Sequence, residues 1–402
     1  MRRVLLLTHY FPPEVGAPQV RLGALATHLS AGGAQVTVHA PPPHYPDGVI
    51  RPGYRNHPLA RARYADGTRI VRSAVYTTPN RDVVRRLINH ASFAVSALAT
   101  SWATGAQSVI VAETPPLFTA AAGVVYARLK RASLILHVAD RWPASAIELG
   151  MLSDRRAIAL AGWLERWCYL HAAAIVVPTE RMREAITALP EAAGKVTTIA
   201  PAVDLERFDP RPPVLDGPLR VLYAGTLGLA HGLETLVAAA QLAGPEVVQV
   251  TIVGDGAASA ELRAADVVNV TVLPSVSAAE VPALYAAADA GVVVLRDLPI
   301  FHEALPTKLL EVMAAGRGVI AALPGEAAGL VESTGSGIAV APQDPAALAS
   351  AFGRLARDRA GTARMGALAR ACAEERFGRR RAVERWERLL DAQFLLHART
   401  RL

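Results

Sequence analysis

The chain is poor in cysteine. Cys168 and Cys372 are its only two, far apart and without C-x-x-C spacing, which excludes a cysteine-rich zinc site and a disulfide framework. A reduced, intracellular protein is expected. No two aspartates stand two positions apart, so no D-x-D is available to hold a metal-diphosphate complex. No G-x-G-x-x-G follows the first apolar run, and Gly254-x-Gly256 lacks the third glycine, which counts against a nicotinamide-dependent oxidoreductase. Aromatic and basic residues do not interleave as in a single-strand binding face, so nucleic acid is not an expected partner.

Long hydrophobic runs are scarce too. Met1-Arg2-Arg3 followed by Val4–Leu7 starts like a signal peptide, but the run stops at Thr8-His9-Tyr10 before Pro12-Pro13 and reads as a buried strand. Residues 87–112 carry no formal charge, yet Asn89, His90, Ser92, Ser96, Thr100 and Ser101 interrupt them. A helix followed by a strand over 108–111 is expected there, not a transmembrane span.

What is present is a large, foldable core: 402 residues, 52% hydrophobic and 19% charged. That length exceeds one ordinary core, and two domains are expected. The formal charge of +7 favours anionic partners, either phosphorylated substrates or a membrane face. Arginines gather within 51–86, 128–131 and 376–401.

Short apolar runs at 4–7, 35–38, 70–71, 109–111, 134–138 and 175–177 alternate with helical patterns, the sign of strand-helix-strand units and a parallel sheet. A polar, proline-rich stretch from Val203 to Pro213 interrupts the alternation. It then restarts, with strands expected at 219–224, 248–253, 268–273, 290–295 and 318–322. Helical patterns over 346–376 and 379–399 close the chain. The fold class is therefore α/β, two Rossmann-like domains whose parallel sheets face a central cleft. The expected boundaries are an N-terminal domain 1–203, a linker 204–217, a C-terminal domain 218–378, and a last helix 379–402 crossing back to the first domain.

The most informative stretch is Phe301-His302-Glu303-Ala304-Leu305-Pro306-Thr307-Lys308-Leu309-Leu310-Glu311. Pro306 or Thr307 would start a helix, placing Lys308 in its first turn. There the helix dipole disfavours a cation by a few tenths to about 1 kcal/mol, so a lysine fits better if an anion such as phosphate shares the site. Glu311, one turn on, can accept from a ribose diol, and Glu303 from a sugar hydroxyl. The competing reading is a solvated amphipathic helix with ordinary surface charges. Asp140, between an apolar strand and Trp142-Pro143, is either a carboxylate that positions an acceptor hydroxyl or a capping residue in a strand-to-helix loop.

The Glu303 to Glu311 pair resembles the E-x7-E motif of retaining glycosyltransferases of family 4, and Pro306-Thr307-Lys308-Leu309 is similar to the P-S-K-L form of a subgroup adding amino or deoxyhexoses to bacterial surface polysaccharides. The stretches 10–17, 224–232, 253–256 and Asp140-Arg141-Trp142-Pro143 resemble that subgroup's loops. The resemblance implies a GT-B fold with the donor on the C-terminal half. Glu303, Asp140 and Lys308 would be catalytic. Glu311 would hold the ribose, Lys308 and Thr307 with the loop Thr226 to Gly232, including His231, the diphosphate, and the main chain near Val276 the base. Gly254 would belong to the donor site, and Gly16 would let the N-terminal loop approach the diphosphate. The chain departs from the family in offering Thr226 and His231 where many relatives have Arg and Lys, and Ala139 where many have His.

The function implied is retaining, metal-independent transfer of a hexosyl unit, whether plain hexosyl, N-acetylhexosaminyl or deoxyhexosyl, from a UDP-linked or other nucleoside-diphosphate sugar. No cofactor is expected. The acceptor would be a hydroxyl of a lipid-linked saccharide or small aglycone. Arg81 to Arg86, followed by Leu87, Phe93, Val95 and Leu98, is either an amphipathic helix on an anionic membrane or one packed inside the first domain. The expected location is cytoplasmic, peripheral to the membrane's inner face. A nucleotide-sugar epimerase or a non-catalytic nucleotide-sugar-binding protein are the alternatives.

Overall fold

In a computed structural model of the chain, residues 2–14, 16–45, 47–64, 66–79, 83–210 and 216–399 are described. Val15, Arg81 and the middle of the expected linker, residues 211–215, lie outside them. The chain forms two compact units, Met1–Ala200 with Ala382–Leu402, and Pro201–Arg381.

The first unit begins β1 (Arg3–Leu7), α1 (Ala17–Ala31), β2 (Gln35–Ala40), β3 (Leu59–Arg63), β4 (Arg69–Ser73) and α2 (Val83–Ala99). It continues β5 (Val109–Thr114), α3 (Leu117–Lys130), β6 (Ser133–Val138), α4 (Ala144–Glu148), α5 (Arg155–His171), β7 (Ala174–Val177), α6 (Glu180–Thr187) and β8 (Val196–Thr198). Its sheet order is β3-β4-β2-β1-β5-β6-β7-β8. Val4 pairs with both Val36 and Val109, which puts β1 at the centre, and its aliphatic run is buried because helices cover both faces. The sheet is parallel except for β3, which runs antiparallel to β4 at the edge and exposes Arg61 and Arg63. Charged side chains on an edge strand discourage pairing with another chain.

One face of this sheet packs against α2, α3 and α5 through Phe93, Tyr126 and Tyr169. The other packs against α1 and the chain's last helix, which contributes Trp386 and Leu390. Phe93 is fully buried, so the second alternative, packing inside the first domain, holds for that face of α2; its exposed large apolar residues are Val83, Val84, Ile88 and Val95.

The second unit runs β9 (Leu219–Ala224), α7 (Leu233–Ala243), β10 (Val248–Val253), α8 (Ser259–Ala264), β11 (Val270–Leu273), α9 (Val281–Ala287) and β12 (Ala290–Val294). Then come α10 (Thr307–Ala314), β13 (Gly318–Ala322), α11 (Gly325–Thr334), β14 (Gly337–Val340), α12 (Pro345–Arg357) and α13 (Arg359–Arg376). The last helix, α14 (Arg379–Arg399), begins at the boundary and continues into the first unit. All six strands are parallel, in the order β11-β10-β9-β12-β13-β14. Chain direction across the sheet reverses between β9 and β12, and in such sheets ligands bind outside the carboxyl ends of the strands at that point.

Part of the expected linker belongs to this unit. Val203 bridges Gly378, Leu205–Arg207 forms a 3-10 turn, and the Arg370 guanidinium donates to the Phe208 carbonyl at 3.1 Å. The expected helical run 346–376 is two helices, broken at Asp358, whose carboxylate caps α13 by accepting from Gly361 N at 2.7 Å.

Candidate functional site

At the reversal point of the second sheet, β9 delivers Tyr223 and the loop Gly225–Gly228, and β12 delivers the segment leading to α10. Pro306 occupies the N-cap of α10 and no side chain caps it. The main-chain N–H groups of this first turn are therefore a ready anion site. Lys308 stands there. It is one of three lysines in a chain whose basic residues are otherwise arginines.

Lys308 Nζ donates to Tyr223 Oη at 2.5 Å and to the Thr226 carbonyl at 3.4 Å, lies 3.3 Å from His231 Nε2, and sits 4.4 Å from the Tyr223 ring centroid. None of these acceptors is a carboxylate. Burial brings the Lys308 ammonium down to about 7, with Glu311 pulling the other way. His231 is pushed down to about 3, by burial and then by Lys308, so its imidazole is neutral. Burial raises Glu311 above the usual carboxylate range, against the opposing pull of Arg207 and Lys308.

The loop accommodates this lysine because Gly225 has no side chain: a Cβ there would stand 2.2 Å from Lys308 Cε, and its φ of 141° also disfavours other residues. Gly232, left-handed at φ 60°, turns the loop into α7. Arg296 secures the same loop, donating to the Leu229 carbonyl and the Glu234 carboxylate, each at 2.6 Å.

Thr226, His231 and Gly232 thus share one neighbourhood with Lys308, Thr307 and Glu311. Glu303 ends a half-buried 3-10 turn, Pro299–Glu303, four residues before α10. Gly254 serves the loop from beneath, since a Cβ there would stand 1.9 Å from the Gly225 carbonyl oxygen. Neighbouring Asp255 accepts from Ser275 N at 3.0 Å and so holds the segment containing half-buried Val276. Arg207 donates to the Ala278 carbonyl just beyond it.

Two candidates lie in the first unit. Asp140 accepts from the Ser145 hydroxyl at 2.9 Å, and burial raises its carboxyl. That bond ties Asp140 to the short helix α4, whose N-cap is Pro143 and whose first turn no side chain caps, so the helix-capping alternative is not what the carboxylate does here. Gly16 is the N-cap of α1; a Cβ there would meet Gln19 Oε1 at 2.5 Å, where Gln19 reaches Glu14.

Tyr223, Arg207 and Arg296 were not legible as site residues. Tyr223 alternates with Leu219 and Val221 on one face of its strand and reads as core, which it also is.

Known families match this architecture. The model for glycosyl transferases group 1 covers residues 218–358, and that for the glycosyl transferase 4-like domain covers residues 16–202. The chain belongs to this glycosyltransferase family and has the GT-B fold. It is 25% identical over 339 residues to a candidate colanic acid biosynthesis glycosyl transferase, WcaI, of Escherichia coli (strain K12), covering 79% of this chain and 82% of that one. Similar solved structures include sucrose-phosphate synthase from Thermosynechococcus elongatus (TM-score 0.79, 19% identity, 98% of this chain and 100% of that one). Another is Anabaena HepE in complex with UDP-glucose (TM-score 0.72, 18% identity, 98% and 100%).

Proposed function

We propose that the protein transfers a hexosyl unit from a UDP-sugar to an acceptor hydroxyl on a lipid-linked saccharide or small aglycone, with retention of anomeric configuration and without an obligatory metal. The observation that carries this reading is Lys308 at the uncapped start of α10, surrounded by acceptors that carry no charge. A diphosphate placed there would receive main-chain N–H groups and the ammonium together. In this reading Glu311 binds the ribose, Glu303 the sugar, and Val276 faces the base. Thr226 and His231 stand where many relatives carry Arg and Lys, so charge neutralisation falls on Lys308. HepE, a structural neighbour, is described with UDP-glucose, and WcaI is named for colanic acid biosynthesis; both support a UDP-sugar used in surface polysaccharide assembly.

The test has three stages. Thermal stabilisation across a panel of nucleotide sugars identifies the donor by mass action. Transfer to polyprenyl-linked acceptors is then followed in excess chelator, and the anomer of the product is read by NMR. An absolute manganese requirement or an inverted product would sink the corresponding part. Conversion of the donor with no acceptor present would instead establish an epimerase.

Among the described residues, no helix is long and apolar enough to cross a membrane. In our reading the protein works at the cytoplasmic membrane face through the outer sides of α2, α3 and α5. Leu160, Trp163 and Leu170 are exposed along one side of α5, and Val84 and Val95 along α2. The Arg128 guanidinium lies 5.8 Å from the Trp167 ring centroid, and Arg155 and Arg156 begin α5. Apolar side chains rimmed by arginines suit an anionic lipid surface. Flotation with phosphatidylglycerol vesicles, lost in a Leu160→Asp, Trp163→Asp double variant, is expected; absence of binding at low salt discards this part.

A further inference from the structure

Tyr223 is the last but one residue of β9 and shares its core face with Leu219 and Val221, and it is itself fully buried. Its hydroxyl donates to the Thr226 carbonyl at 2.8 Å, which fixes the hydroxyl proton on the loop and leaves the oxygen's lone pairs for Lys308 Nζ. Burial raises the Tyr223 hydroxyl, so it stays protonated and keeps this orientation. His231, also neutral, has a hydrogen bond to the Val294 main chain and turns Nε2 towards Nζ.

The charged groups around this cluster are few. Glu311, from the same helix as Lys308, is the one acid that acts on the amine. Arg207, from the 3-10 turn Leu205–Arg207, acts on Glu311. From α9, Tyr285 is protonated.

We propose that Tyr223 is a positioning residue for donor binding: its hydroxyl, pinned by Thr226, holds Lys308 over the Gly225–Gly228 loop among neutral acceptors, so that binding the donor's diphosphate draws one proton from solvent onto the lysine. The proposal rests on the nucleotide-sugar reading above. An anion beside Nζ favours the charged amine, so the complex binds more protons than the free protein between pH 7 and the lysine's value in the complex. Affinity therefore falls as pH rises through that window, by up to about tenfold per pH unit for one proton.

The experiment is titration calorimetry with UDP on the full chain at pH 8 to 9, where its terminal phosphate, with a second pKa of about 6, is already ionised. The unmodified protein should give a binding enthalpy that differs between Tris and HEPES in proportion to uptake of one proton. Tyr223→Phe keeps the ring and the packing, so its melting temperature should hold, yet UDP affinity should fall about tenfold, the effect of one lost hydrogen bond to a charged group. A variant that merely loses core packing would show the reverse pattern. Lys308→Met separates the two levels of argument. If it abolishes UDP binding while Tyr223→Phe binds like the parent, the positioning role is overturned alone. If Lys308→Met also binds UDP like the parent, the donor-site reading falls with it. Should Tyr223→Phe fail to fold, a buffer-independent enthalpy in the unmodified protein overturns the proposal by itself.

Discussion

Each unit gathers polar side chains at the carboxyl ends of its central strands, and the two clusters are built on opposite principles. Behind β1, Glu14 accepts from His44 N at 2.7 Å, Tyr45 N at 2.8 Å and Gln19 Nε2 at 3.2 Å. Asn89 bridges His9 Nε2, His44 Nε2 and the Tyr76 carbonyl at 2.8, 3.0 and 2.6 Å. Burial pushes His9 well down, with His90 and His44 adding to it, so its imidazole is neutral and the network is turned inward, tying loops together. Behind β9, by contrast, a lysine is held by uncharged acceptors at an uncapped helix start. A carboxylate bonded to several main-chain amides is holding up a loop; a lysine among uncharged acceptors at an uncapped helix start has room for an anion. That difference, more than burial, separates support from site.

The largest effect should therefore come from the second cluster. Lys308→Met is expected to lower kcat/KM about a thousandfold, roughly 4 kcal/mol of transition-state stabilisation, as for loss of one preorganised donor to a developing oxyanion. Its melting temperature at pH 7 should not fall. A loss below tenfold would place Lys308 among supporting residues and erase the contrast.

Glu14→Ala should do the opposite. It leaves two buried main-chain N–H groups, of His44 and Tyr45, without their acceptor, which costs about 2–3 kcal/mol of stability measured by urea unfolding. UDP affinity should be unchanged. A Glu14→Ala protein as stable as the parent but inactive would move this cluster from support to chemistry.

A smaller effect concerns pH. Lys308 titrates near 7 in the folded protein and near 10.4 when unfolded, so between these values the unfolded chain binds more protons. Stability from this group is fully present above about pH 10.4 and is lost as pH falls towards 7. The melting temperature of the parent relative to Lys308→Met should therefore rise between pH 7.5 and 9.5, and a flat difference would contradict the low value for this lysine.

Much of this was legible because a parallel sheet writes itself as continuous apolar runs, and β1, β9, β10, β12 and β13 fall where those runs do. The strands that were missed, β3, β8 and β14, are edge strands, short or partly exposed, without such a run. Lys308 and Glu311 were legible because Pro306-Thr307 announces a helix start and a cation there is anomalous. Tyr223 was not, since its partners Thr226 and Lys308 come together only when β9 and α10 meet across the sheet. Asp358 shows the same limit: one capping residue split a helical pattern whose apolar spacing continues through it.

Asp140 tests the contrast at its weakest point, because it has features of both clusters. Its carboxylate is engaged by the Ser145 hydroxyl of α4, as a supporting group would be, and it lies two residues beyond the end of β6, where a residue could face a substrate. Ser145→Ala removes the engagement without touching the carboxylate. If Asp140 only braces α4 through this bond, the loss should be about 1 kcal/mol of stability with transfer unchanged, the ordinary value of one such hydrogen bond. If Asp140 also orients an acceptor hydroxyl, the freed carboxylate should raise the acceptor KM while the donor KM stays constant. With the donor placed on the second unit by the family resemblance, a change in donor KM is the one outcome that neither role allows.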